Sequence, residues 1–77
     1  MNISDYAFGL RNDCRYTTVD EHGRVWIAST WRSTVYEPTE YMVYCRNLSS
    51  DLMPLHTTNE EEAAHYMASI SDKWTRD

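Results

Sequence analysis

The sequence predicts an α+β domain: a three- or four-stranded antiparallel sheet with a C-terminal helix packed on one face, and a short helix at the N-terminus. Three observations predict it. Two β-rich runs, 14–19 and 24–31, flank a short turn ending in Gly23, which is a hairpin pattern. The one long amphipathic pattern comes last. An antiparallel sheet needs cover on at least one face, and that helix is the element able to supply it.

Each element has a local reason. In 2–12, Asn2 or Ser4 can cap a short helix that places Tyr6, Ala7 and Leu10 on one face, although Gly9 weakens it. Cys14, Tyr16, Thr17, Thr18 and Val19 favour a strand. Asp20, Glu21, His22 and Gly23 form the turn, and the second strand runs to Trp31. Pro38 marks a connection over 32–38, or a turn at 37–39 if the strand continues through Tyr36. Residues 40–46 make the third strand. The 52–56 stretch is apolar but holds Pro54, so it reads as an edge segment or a packed loop. Thr58 and Glu61 fit a capping box, and Glu60, Glu61 and Glu62 suit the positive end of a helix dipole. Ala63, Met67, Ile70 and Trp74 form one apolar stripe, with Lys73 and Arg76 at the far end. The helix is expected over 59–74.

The chain has 77 residues, which makes one small domain. It buries about 65% of the surface of its unfolded chain, so its core is thin. Leu, Ile, Val and Phe are scarce, a composition that in itself points toward disorder. Ten aromatic residues reverse that reading, because each ring buries roughly 150–250 Å². One helix over a small sheet cannot cover so many rings. Some of Trp26, Trp31, Tyr36, Tyr41 and Tyr44 are therefore expected on an uncovered sheet face or on loops, where Trp, Tyr, Met and Arg mark interfaces.

Several function classes fall away. Large nucleotide-binding and barrel enzymes need roughly 150 to 250 residues. No G-x-S-x-G and no phosphate-cradling glycine loop is present. Glu62 and His65 have the spacing of a carboxylate–histidine metal pair, but such sites draw on several helices. His22, His56, Cys14 and Cys45 lack the local spacing of a zinc site. The expectation is therefore no catalytic residue, no metal and no cofactor. No apolar run reaches the ~18 residues needed to span a bilayer, and 1–10 lacks the pattern of a signal peptide. A cytoplasmic protein with free thiols is expected.

The formal net charge is −5. Residues 1–38 hold five acids and four arginines, whereas 39–77 hold seven acids and three bases. Capping explains part of that asymmetry. The rest reads as an acidic surface, formed by Glu60, Glu61, Glu62 and Asp72, that steers the chain toward a basic patch on a protein partner. Trp31, Tyr36 and Tyr44 are the expected anchors. A second copy of the chain is the other candidate partner, paired through edge strands. A small sheet that binds single-stranded nucleic acid through Arg15, Arg24, Arg32 and Arg46 beside neighbouring rings is the alternative. The acidic balance argues against it.

In size, charge and layout, the hairpin over 14–31, the strand over 40–46 and the helix over 59–74 resemble small phage or mobile-element proteins, including anti-CRISPR and other host-takeover inhibitors. That resemblance implies stoichiometric inhibition of a host or defence protein by binding, without catalysis. It carries no motif and assigns no residue a role.

Overall fold

The computed structural model describes residues 2–46 and 54–76. The order is α1 (Ile3–Arg11), β1 (Tyr16–Val19), β2 (Val25–Trp31), β3 (Glu40–Cys45), β4 (Leu55–Thr57), α2 (Glu60–Ile70) and β5 (Thr75–Arg76). The strands form one antiparallel sheet in the order β4-β3-β2-β1-β5. Both helices pack on the same face, against the sheet and against each other. The α+β class and the covering C-terminal helix agree with the sequence reading.

Helix α1 begins where Asn2 caps it. The Asn2 side chain accepts from Asp5 N–H, and Asp5 accepts from Asn2 N–H, a reciprocal pair that satisfies two helix-start donors. At its other end Asn12 is the cap, and Asp13 adopts a positive φ of 62°. Asp13 N–H donates to Leu10 O and Cys14 N–H to Gly9 O. This is the Schellman arrangement, with aspartate in the place glycine most often takes. Tyr6, Ala7 and Leu10 are buried, as their spacing predicts.

The β1–β2 turn is organised by Asp20. Its carboxylate accepts from His22 N–H, Arg24 N–H, Arg24 Nε and Trp26 Nε1 at 2.7–2.9 Å. Gly23 takes a φ of 80°, a conformation that favours a residue without Cβ. The side chain of Asp20 is 6% exposed. Partial desolvation pushes its carboxyl up, but the donors from Trp26, Arg24 and His22 outweigh it and hold the group well below the usual carboxylate range.

Three expectations need correction. The second helix ends at Ile70, short of Trp74. Ser71 is extended there, Thr18 Oγ1 donates to Lys73 O and shares a hydrogen bond with the Ser71 hydroxyl, and the chain turns back to the sheet. Trp74 still joins the core, with its indole N–H donating to Met67 O, and Lys73 and Arg76 lie beyond the helix. The N-cap is Asn59, whose side chain accepts from Glu61 N–H and Glu62 N–H; Thr58 does not cap. Finally, the sheet has five strands, because the turn after α2 lets Thr75 and Arg76 pair with Thr17 and Tyr16. The uncertain segment around Pro54 is edge strand β4 from Leu55 on, while 52 and 53 lie outside the described residues.

The core is aromatic. Tyr6 and Tyr16 meet edge to face, with centroids 5.8 Å apart, and Trp26 meets Tyr66 in the same way at 6.4 Å. Tyr41 Oη donates to Glu60 Oε2, while burial and the Glu60 charge push its phenol pKa up and keep it a neutral donor. Glu60 Oε1 also accepts from Arg11 Nε at 2.9 Å, which ties the end of α1 to the start of α2.

Candidate protein-docking surface

Strand alternation sorts the sheet residues into two sets. Register puts Tyr16, Ala28, Val43 and Leu55 on one row, and Thr18, Trp26 and Cys45 on the next. These rows meet the helices. The other parity forms the open face: Thr17 and Val19 of β1, Val25, Ile27, Ser29 and Trp31 of β2, Glu40, Met42 and Tyr44 of β3, His56 of β4 and Thr75 of β5. A one-sided antiparallel sheet ordinarily sets polar residues on the face that meets water. Here the middle of that face is apolar. Ile27 is buried between its cross-strand neighbours Thr17 and Tyr44, and Val25, Met42 and Tyr44 are half-buried. Val19 is 59% and Trp31 53% exposed.

Beyond Trp31 the chain crosses to Glu40 through residues 32–39. Strand β2 stops at Trp31, and the turn falls at 34–37, where Glu37 N–H donates to Thr34 O. Thr34 Oγ1 accepts from Tyr36 N–H, and Ser33 Oγ donates to Glu37 Oε2. These bonds order the loop and leave Val35 79% and Tyr36 94% exposed at the two central turn positions. Turns favour Gly, Asn, Asp or Ser at such places. Neither turn chemistry nor core packing accounts for a valine and a tyrosine there.

The sequence-derived anchors are therefore brought together in part. Trp31 and Tyr44 share the open face, and Tyr36 projects from the loop at its Trp31 end. The acidic residues are elsewhere. Glu60, Glu61 and Glu62 open α2 on the opposite, helix-covered side, and Asp72 follows the other end of that helix. Glu60 is committed to Arg11 and Tyr41. The arginines are divided too. Arg24 bonds Asp20, whereas Arg46 follows the end of β3, where its backbone N–H donates to Val25 O. Val19, Val25, Val35 and Met42 were missed as surface residues. Splitting the two hairpin strands by parity would have found the first two.

Other chemistry is dispersed. Cys14 and Cys45 are free and pack beside the core. His22 faces Glu21 at 3.5 Å and His56 faces Glu40 at 3.4 Å, both at the surface. His65 is exposed on α2. Among the described residues no group of three His, Cys, Asp or Glu is placed to hold a metal. The groove beside Cys14, about 600 Å³, is lined by Asp5, Phe8, Gly9, Asn12, Tyr16 and Arg76 besides the cysteine, with no histidine. Among the described residues, no helix is long and apolar enough to cross a membrane. No family model, curated protein or solved structure matches the chain.

Proposed function

We propose that this chain is a non-enzymatic protein-binding module whose binding side is the open sheet face together with the 32–39 loop. The carrying observation is that the ordered loop holds Val35 and Tyr36 in water with no contact that repays their exposure. An apolar side chain of that size contributes about 1.5–3 kcal/mol when a partner covers it. The surrounding hydrogen bonds reduce the ordering cost of association. Stoichiometric occupation of a host or defence protein, as the likeness to phage and mobile-element inhibitors implies, is part of this proposal. Glu61, Glu62 and Asp72 then act at long range, drawing in a basic partner and making no contact with the rings.

The test is capture from a host lysate by the immobilised chain, with wild type compared with V35S/Y36S and with E61Q/E62Q. The expected result is a protein retained by wild type and by E61Q/E62Q but lost with V35S/Y36S. Retention that is indifferent to the loop variant overturns the reading. The nucleic-acid alternative is favoured less, because Arg24 is engaged by Asp20 at the turn and the net charge is −5.

A further inference from the structure

We propose that the groove beside Cys14 holds a small peptide-like disulfide, one that bears both a carboxylate and an ammonium group, and that Cys14 takes half of it as a mixed disulfide. This is a second site, and it does not depend on the docking surface above.

Helical spacing builds one wall of the groove. Asp5, Phe8, Gly9 and Asn12 stand at i, i+3, i+4 and i+7, so they share one face of α1. Cys14 and Tyr16 close the groove from the chain that enters β1, and Arg76 closes it from the neighbouring strand β5. Its volume of about 600 Å³ falls within the range of small-molecule sites, roughly 300–1,000 Å³. Phe8 is 64% exposed there and gives an apolar wall that the core does not use.

The Tyr16 hydroxyl points to a ligand independently of the thiol. Tyr16 is 3% exposed, and its Oη ends against Gly9, where a side chain would collide with it. Both residues line the groove, and among the described residues none hydrogen-bonds to that hydroxyl. Burial, and after it the Cys14 sulfur, push the phenol pKa up, so a neutral O–H is kept there to donate. Arg76 and Asp5 act on the same phenol in opposite senses, which sets a cation and an anion about one point. Arg76 has no ion pair among the described residues. Asp5 accepts from Asn2 N–H through Oδ2, and a carboxylate has lone pairs for further donors. The groove thus offers Arg76 and Tyr16 to a carboxylate and Asp5 to an ammonium group.

Cys14 supplies the chemistry. It is free and half-buried, and its thiol reaches Asn12 O at 3.9 Å, a weak bond. As the thiolate it attacks one sulfur of the bound disulfide. The new bond to Cys14 forms as the ligand's own S–S bond breaks. The other half leaves as a thiolate and takes a proton from water, in place of the one that Cys14 gave up. Cys14 is oxidised and the departing half reduced, so the ligand is itself the oxidant. One adduct forms per chain, without turnover, and a reducing thiol reverses it.

Oxidised glutathione is the probe, reacted with the full chain and followed by peptide mass mapping. Hydroxyethyl disulfide, which is uncharged, is the comparison, each rate being taken relative to that of free cysteine with the same disulfide. Cys45, also free and half-buried, is the internal comparison. With oxidised glutathione, Cys14 should react at least about tenfold faster than Cys45, and at least about tenfold faster than with hydroxyethyl disulfide, the margin that one hydrogen bond to a charged group supplies. Arg76→Gln and Tyr16→Phe should each remove most of that gain, with circular dichroism unchanged. Arg76 is exposed, so its replacement leaves the core alone. Equal rates at the two cysteines, a Cys14 rate indifferent to the charges on the disulfide, or a gain kept in R76Q overturns the proposal.

Discussion

A methyl group added at Gly9 would lie 1.8 Å from Tyr16 Oη and 2.7 Å from Tyr16 Cζ. Helix propensity alone favours Ala over Gly by about 1 kcal/mol. Overpacking a site that cannot yield costs about 1–3 kcal/mol. Because Tyr16 is buried and held by Tyr6, the collision wins. Gly9→Ala should therefore lower stability by up to about 2 kcal/mol in urea denaturation, and adding Tyr16→Phe should recover only part, since Cζ stays in the way. A stabilised Gly9→Ala would show that the close approach does not exist in solution. From the sequence, Gly9 is only a weak point in a short helix. Its purpose is invisible there, because the contact joins residues on separate elements.

At the scale of elements, the helix ends are the informative places. Asn59 and Thr58 compete for the cap of α2, and the sequence pattern Thr58-x-x-Glu61 favours the wrong one. Asn59 receives two backbone N–H groups, and its own N–H donates to Thr57 Oγ1. Asn59→Ala should cost about 1 kcal/mol and Thr58→Ala close to nothing, as read from thermal denaturation midpoints. Equal losses would reinstate the Thr58 cap. The other end of α2 shows why periodicity overran. Trp74 continues the apolar stripe and is buried, but it reaches the core from beyond the helix and bonds back to Met67 O. Burial pattern alone does not separate a residue on the helix from one folded back against it. Strand β5 was illegible for the same reason: two residues carry no period, and only the turn at Ser71, fixed by Thr18 from a distant strand, sets them beside β1.

For the molecule as a whole, acid stability follows from Asp20. Its folded pKa lies below the ordinary 3.8, so the turn contributes stability that is fully present above about pH 4 and fades as pH falls toward the depressed value. Asp20→Asn removes that component. Urea midpoints measured from about pH 6 to about pH 2 should fall less steeply in D20N than in wild type, although D20N starts lower. Parallel slopes would mean that other carboxylates govern acid unfolding. The α+β layout was readable because the hairpin and last helix declare themselves locally. The exposed rings were readable in number, as a surplus over what one helix can cover, and unreadable in position. Which rings escape cover depends on strand parity and on α1 joining α2 over one face, so that Trp26 and Tyr41 are enclosed while Trp31 and Tyr36 are left out.

The alternation along β2 has a bearing on how such a chain can diverge. Trp26 and Ala28 answer to the helices, while Val25, Ser29 and Trp31 line the open face, where Ile27 alone of the β2 residues is buried. Replacements at the second set leave the helix-facing packing intact. Every second residue of that strand can therefore change while the folded scaffold is kept, so the open face can vary independently of the core.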